Sequence, residues 1–193
     1  ITLFNNFSIK IKEGELVAIV GPSGSGKSSL LHLLALLDEP TNGTIILNKT
    51  DTKKLTNIEK DKMRRDNISI IFQDNNLLTD FTTIENIKMP LIIKDENEDV
   101  ITAKAKKILK DVNIYERSNH FPNELSGGEQ QRTAIARALI AETNLILADE
   151  PTGNLDFKTS KEIFSLFLKL KKRKKTIIFA THNRAVSYTH LRA

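Results

Sequence analysis

Continuous apolar runs mark where strands are expected along the chain. Residues 16–20 (LVAIV), 145–148 (LILA) and 176–180 (TIIFA) are unbroken rather than alternating, and polar or glycine residues follow each of them. Strands of a parallel sheet that is covered on both faces have this pattern. Residues 68–73 (ISIIFQ) are predicted as a fourth strand.

Helical patterns lie between and after these runs. They begin at Ser28 (SSLLHLLALL), Gly127 (GGEQQRTAIARALIAE) and Ser160 (SKEIFSLFLKLKK). Alternating strands and helices predict a doubly wound α/β core. Residues 77–141 show helical segments but no convincing strand, so we predict a helical subdomain inserted into that core.

Composition narrows the class of protein. The 193 residues, 39% hydrophobic and 27% charged, suit one domain with a substantial core. No apolar run approaches the roughly 18 residues that span a bilayer, and no cysteine is available for disulfides or thiolate metal sites. Much of the net charge of +5 lies in KKRKK, residues 171–175. We interpret these cations as the solvated end of a helix rather than a nucleic-acid or lipid patch, because no aromatic residues interleave with them.

A glycine-rich loop follows the first predicted strand. GPSGSGKS fits the pattern G-x-x-x-x-G-K-[ST] at every fixed position, with a strand before it and a helix after it. Bare backbone N–H groups and a helix N-terminus bind phosphates, Lys27 can reach the β- and γ-phosphates, and the Ser28 hydroxyl can ligate Mg²⁺. The predicted nucleotide-binding residues are Gly21, Pro22, Ser23, Gly24, Ser25, Gly26, Lys27, Ser28 and Ser29.

Polar residues at the ends of the other strands complete a candidate ATPase site. Asp149 and Glu150 follow a buried strand; Asp149 is predicted to hold Mg²⁺ and Glu150 to polarise an attacking water. Gln73 closes another strand and is predicted to ligate Mg²⁺ and to sense the γ-phosphate. His182 ends TIIFATH and can hydrogen-bond the γ-phosphate or the water. Alone, each is an ordinary loop residue; beside a phosphate loop they form a catalytic set with Lys27.

The order of the motifs resembles that of the ABC (ATP-binding cassette) ATPase family from about Phe7 to Asn183. LSGGE, residues 125–129, matches the signature motif, LILADE the Walker B motif and GNLD, residues 153–156, the D-loop. The resemblance implies a RecA-like P-loop NTPase core, a small antiparallel β region near the N-terminus and a helical arm. It also implies two cassettes packed head to tail around two ATP molecules. The residues that would act in trans are Ser126, Gly127, Gly128, Glu129 and Asp156.

Some features depart from the family pattern. Glu129 stands where many members have glutamine. The aromatic residue that usually stacks on adenine is expected upstream of Ile1, and residues 186–193 (VSYTHLRA) are unlike the usual continuation. We therefore expect residues 1–193 to be a single ABC ATPase domain truncated at both ends, with a non-native tail from Val186 onward.

Residues 75–93 (NNLLTDFTTIENIKMPLII), LADEPTGNLD and LSGGEQQRTAIARAL resemble the branch of lipoprotein-releasing and macrolide-export ATPases. Lipoprotein release is favoured; macrolide-type or other export and a cell-division ABC ATPase are alternatives. The expected cofactors are ATP and Mg²⁺. The expected partners are membrane permease subunits and a second ATPase subunit, at the cytoplasmic face of the inner membrane.

Two rival functions belong to other classes. A nucleic-acid-acting ABC ATPase is disfavoured, because the interval between Gln73 and Ser126 leaves no room for a long coiled coil and the chain holds one cassette. A binding module that does not hydrolyse ATP is disfavoured because Glu150 and His182 are both present.

Overall fold

A computed structural model describes residues 3–153 and 155–182, in which strands and helices alternate. The predicted tail at residues 186–193 lies outside this part of the chain. The elements are β1 (Leu16–Val20), α1 (Lys27–Leu34), β2 (Ile46–Leu47), β3 (Thr50–Asp51), α2 (Asn57–Asn67), β4 (Ile68–Ile71), α3 (Thr83–Ile93), α4 (Glu98–Asp111), α5 (Gly127–Ile140), β5 (Leu145–Asp149), α6 (Phe157–Lys172) and β6 (Thr176–Thr181). Short 3₁₀ turns span Thr52–Lys54, Tyr115–Arg117 and Pro122–Glu124.

The four strands that the apolar runs predict form one parallel sheet in the order β1-β6-β5-β4. Val20 pairs with Thr181, and Asp149 pairs with Ala180. All four strands therefore end at the same edge, as the doubly wound fold requires. β4 ends at Ile71, two residues before the predicted end, because the chain turns there: the Asn75 N–H donates to the Phe72 carbonyl.

Side chains on both faces of this sheet pack in apolar clusters, which explains why the strands are mostly apolar. Ile177 and Phe179 pack on one face against α6, where the Phe164 ring meets the Phe179 ring edge-on at 5.5 Å. Leu147 and Ile178 belong to a second cluster on the other face, which includes residues of α1.

Helix α5 connects the sheet to the helical region. Its Ile135 packs in the core against the sheet, whereas Ala136 and Ile140 pack in a separate cluster with α3 and α4. Within residues 77–141, all of which the structure describes, there are helices and 3₁₀ turns but no strand. The boundaries of the helical subdomain remain a prediction.

A small antiparallel sheet lies outside the core. β2 and β3 pair through Ile46–Asp51 and Leu47–Thr50, in agreement with the antiparallel β region that the resemblance implies. The α6 helix ends at Lys172 with lysines in its last turn, which is the favourable end for cations. In the described part of the chain, no helix is both long enough and apolar enough to cross a membrane.

Candidate functional site

The phosphate loop leaves its backbone bare toward the start of α1. Gly24 and Gly26 have φ of 77° and 86°, in the left-handed region that favours glycine. Gly21 has no positive φ, but a Cβ there would lie 2.7 Å from the Ser25 Oγ, so that hydroxyl would have to move. No side chain caps α1 and no acidic residue lies in its first turn. The first N–H groups of α1 therefore have no side-chain acceptor, although the Phe4 ring lies against the N-cap Gly26.

Lys27 lies inside this loop. Its ammonium donates hydrogen bonds of 2.9 Å to the carbonyls of Gly21 and Pro22, which holds the cation across the loop. Ser28 and Ser29 follow on the first turn of α1 and are half-buried. The loop thus brings together N–H donors, one cation and a hydroxyl, the groups that bind a triphosphate.

The acidic pair lies at the end of β5, two strands from the phosphate loop. Asp149 is the last residue of the strand and only 8% exposed. Glu150 has a φ of 45°, an uncommon conformation for a residue other than glycine, and its N–H donates to the Ala180 carbonyl. Backbone strain of this kind is often found at active sites.

The structure brings Glu150 and His182 into direct contact. The Glu150 Oε1 accepts hydrogen bonds from the His182 backbone N–H at 2.7 Å and from its Nδ1 at 2.8 Å. The Oε2 accepts from the Thr181 hydroxyl at 3.1 Å, a contact that no sequence motif indicated. A carboxylate oxygen accepts about two hydrogen bonds, so Oε2 can still accept a proton from a water.

The predicted magnesium ligands lie at this same edge of the sheet. Gln73 is exposed in the turn that follows β4, Asp149 ends β5, and Ser28 lies in the first turn of α1. Hydroxyl, carboxylate and amide oxygens are ligands that Mg²⁺ accepts. In residues 3–153 and 155–182, no group of three or more histidine, aspartate or glutamate residues is arranged so that it could hold a metal ion.

Arg137 fixes the turn that carries Gln73. Its guanidinium donates hydrogen bonds of 2.7 Å to the carbonyls of Asn75 and Asn76, which both have positive φ. Arg137 is on α5, so the helix that begins at the signature motif also holds the turn after β4. No pattern in the sequence indicated this contact.

The signature motif forms the capped start of α5. The Glu129 N–H donates to the Ser126 hydroxyl, while the Glu129 Oε2 accepts from the Ser126 N–H at 2.9 Å and from its hydroxyl at 2.8 Å. The Ser126 N–H and the adjacent Arg117 guanidinium lower the pKa of Glu129 to about 2. A Cβ at Gly127 would meet nothing within 4 Å, so the space beside this residue is open.

Asp156 caps the next helix. Its Oδ1 accepts from the Thr159 N–H at 3.0 Å and its Oδ2 from the Thr159 hydroxyl at 2.6 Å, and these bonds lower the pKa of Asp156. A Cβ on Gly128 would lie 3.5 Å from Leu155, so the D-loop borders the signature motif. Among the described residues, no hydrogen bond or ion pair joins the signature motif to the phosphate loop of the same chain. The roles of Ser126, Gly127, Gly128, Glu129 and Asp156 in trans remain predictions.

Known proteins share this arrangement. The model of the ABC transporter family matches residues 4–153. The chain belongs to the ABC transporter family. It is an ATP-binding cassette with ATPase activity, as the motifs predict.

Its relatives and structural neighbours are cassettes of the same kind. The chain is 47% identical, over 97% of its length and 83% of the relative's, to the lipoprotein-releasing system ATP-binding protein LolD of Rickettsia bellii (strain RML369-C). Identity to LolD of Rickettsia felis (strain ATCC VR-1525 / URRWXCal2) is 44% with the same coverage.

Two solved structures of the cassette MJ0796 are 42% identical to this cassette. One is described as a dimeric bacterial ABC transporter cassette; it superposes with a TM-score of 0.93 over 97% of this chain and 83% of the other. The second is described as a dimeric post-hydrolysis state bound to ADP and Pi; its TM-score is 0.91 over 95% of this chain and 82% of the other. The predicted fold is confirmed.

Proposed function

We propose that this ABC ATPase drives lipoprotein release as a homodimer attached to membrane permease subunits at the cytoplasmic face of the inner membrane. The lipoprotein-releasing assignment is supported by the identity to LolD over nearly the whole chain. The dimer is supported by the dimeric MJ0796 cassettes. The observation that carries the chemistry is the contact between Glu150 and His182 at the edge of the sheet that also bears the phosphate loop.

Binding of ATP begins at the phosphate loop. Gly24 and Gly26 let backbone N–H groups turn toward the phosphates, and Lys27 exchanges its bonds to two loop carbonyls for bonds to phosphate oxygens. Ser28, Asp149 and Gln73 would hold Mg²⁺, which supplies charge neutralisation at the phosphates when bound.

Hydrolysis requires a base beside the γ-phosphate. The Glu150 carboxylate is 12% exposed and is oriented by three hydrogen bonds from His182 and Thr181. Its Oε2 accepts the proton of the attacking water as the water bonds to phosphorus and the ADP oxygen leaves. The His182 side chain is 61% exposed, and in the proposed complex its Nε2 hydrogen-bonds the γ-phosphate.

The signature motif contributes to the site of the partner cassette. Gly127 and Gly128 are the first residues of α5, and in the described part of the chain neither bonds the phosphate loop of its own chain. When a second cassette packs head to tail against this one, the Gly127 and Gly128 N–H groups would contact the γ-phosphate that the second cassette binds. Loss of that phosphate would remove the anion that both helix ends contact, and the dimer would open.

Reconstitution tests the proposal. The cassette is combined with its permease in proteoliposomes, and phosphate release is measured with a bound lipoprotein, with a macrolide and with neither. We expect stimulation by the lipoprotein and its loss in Lys27→Ala. Stimulation by the macrolide alone would instead assign the cassette to macrolide-type export.

A further inference from the structure

A carboxylate occupies the helix end that the proposed function assigns to a phosphate. Glu129 is the third residue of α5, and its Oε2 accepts hydrogen bonds from both the N–H and the hydroxyl of Ser126. A negative charge here favours the helix but repels an incoming triphosphate. The signature motif of this chain therefore needs a compensating cation, whereas a glutamine could form the same cap without one.

Arg117 supplies that cation. Its Nε lies 2.8 Å from the Glu129 Oε1, the carboxylate oxygen that Ser126 does not use. A second nitrogen of the guanidinium lies 3.3 Å from the Nε2 of His120. The Glu129 side chain is 18% exposed and that of Arg117 is 47% exposed, so the guanidinium covers the carboxylate from the solvent side.

The backbone that carries Arg117 is fixed to another element. Arg117 ends the 3₁₀ turn Tyr115–Arg117. The carbonyls just beyond it are held by the start of α3: the Ile84 N–H donates to Ser118 at 2.9 Å, and the Thr83 N–H donates to His120 at 2.8 Å. The backbone next to Arg117 is thus held by hydrogen bonds to α3, whereas the backbone of a free surface loop has no such contacts.

We infer that Arg117 is a positioning residue for the phosphate site in trans: it neutralises Glu129 and holds it in the cap of α5. The N–H groups of Gly127 and Gly128 then face the partner's γ-phosphate without an uncompensated anion behind them. This inference depends on the proposed dimeric function. It explains how this cassette accommodates glutamate in its signature motif.

A double-mutant cycle tests the inference in the full chain. Arg117→Gln, Arg117→Lys, Glu129→Gln and the Arg117→Gln/Glu129→Gln pair are each made in a Glu150→Gln background, which prevents turnover. The dimer dissociation constant is measured by sedimentation with saturating Mg·ATP at low and high salt. Arg117→Gln keeps a hydrogen-bond donor near Glu129 and removes the charge.

We expect Arg117→Gln to weaken the dimer roughly tenfold, about threefold for each of its two sites, with a smaller effect at high salt. Arg117→Lys keeps the positive charge and should therefore retain most of the dimer affinity that Arg117→Gln loses. In the Glu129→Gln background, Arg117→Gln should have little effect, since no charge remains to be neutralised. Thermal unfolding of each variant shows whether the monomer is intact.

Two other results would overturn the inference. If Arg117→Gln weakens the dimer equally with glutamate or glutamine at position 129, Arg117 only supports the local structure. If it weakens the dimer in neither background, Arg117 does not affect the site. If the Glu150→Gln chain, unchanged at positions 117 and 129, forms no ATP-dependent dimer, the proposed dimeric function itself fails. The two failures are therefore distinguishable.

Discussion

Replacement of Glu150 by glutamine should separate ATP binding from hydrolysis. In the structure Glu150 Oε1 accepts two hydrogen bonds from His182, and Oε2 accepts one from the Thr181 hydroxyl. A glutamine amide oxygen can replace Oε1, and its NH₂ group can donate to the Thr181 oxygen. All three contacts are then retained, so the free energy of unfolding should change by less than about 1.5 kcal/mol.

The effect on turnover should be much larger. A general base typically contributes about 10²- to 10⁴-fold, or roughly 3 to 5 kcal/mol of the barrier. We expect kcat for phosphate release to fall by that factor, while nucleotide binding is retained and an ATP-bound dimer accumulates in size-exclusion chromatography.

Thr181→Val is the matched control, because it removes one hydrogen bond to Glu150 and leaves the carboxylate in place. It should lower kcat by less than about tenfold, the equivalent of one such bond. If Glu150→Gln hydrolysed ATP at the rate of the unchanged cassette, Glu150 would not be the base. A loss in Thr181→Val as large as that in Glu150→Gln would show that the rate reports on the geometry of the strand end rather than on the carboxylate.

Further predictions concern stability and the signature motif. Glu129 has a pKa near 2 against an ordinary value of 4.5, so its stabilising effect is present above pH 4.5 and is lost as the pH falls through 2. In urea unfolding, Glu129→Gln should be less stable than the unchanged chain by about 1 kcal/mol at pH 7, and this difference should shrink between pH 4.5 and 2. A difference that stays constant with pH would contradict the assigned cause. Gly127→Asp should stabilise the monomer by roughly 0.3 to 1 kcal/mol, because a carboxylate interacts favourably with the first turn of α5. The same carboxylate should repel the partner's γ-phosphate and prevent ATP-dependent dimerisation. Dimers that form normally would exclude a phosphate at this helix end. Phe164→Ala should cost about 3 to 5 kcal/mol in urea unfolding, because the ring is buried against Phe167 and Phe179; a cost below about 1 kcal/mol would mean that this core is not packed as described.

Local patterns predicted the core of the fold because each pattern reflects a local cause. The runs at 16–20, 145–148 and 176–180 are almost wholly apolar, since their side chains pack in clusters on both faces of the sheet. The phosphate loop was equally predictable, because its glycines meet local requirements. Gly24 and Gly26 adopt a positive φ, and Gly21 leaves room for the Ser25 hydroxyl.

Contacts between distant residues had no such signal. Arg137 meets Asn75 across 62 positions of sequence, and Thr181 meets Glu150 across 31. These contacts depend on how α5 and β6 are placed against neighbouring strands, which hydrophobic periodicity does not specify. The two-residue strands β2 and β3 are too short for any periodicity, and only the family resemblance indicated them.

Mixing two inactive variants tests the central claim, that each ATP site is made by two chains. Lys27→Ala disables the phosphate loop and keeps the signature motif, whereas Gly127→Asp does the reverse. Each alone should release phosphate at background rates. Only a dimer that combines the two chains holds an intact site, and it holds one of the two, so up to about half of the unchanged activity should return in an equal mixture. A mixture that stays at background, or a fully active Gly127→Asp homodimer, would contradict the shared site.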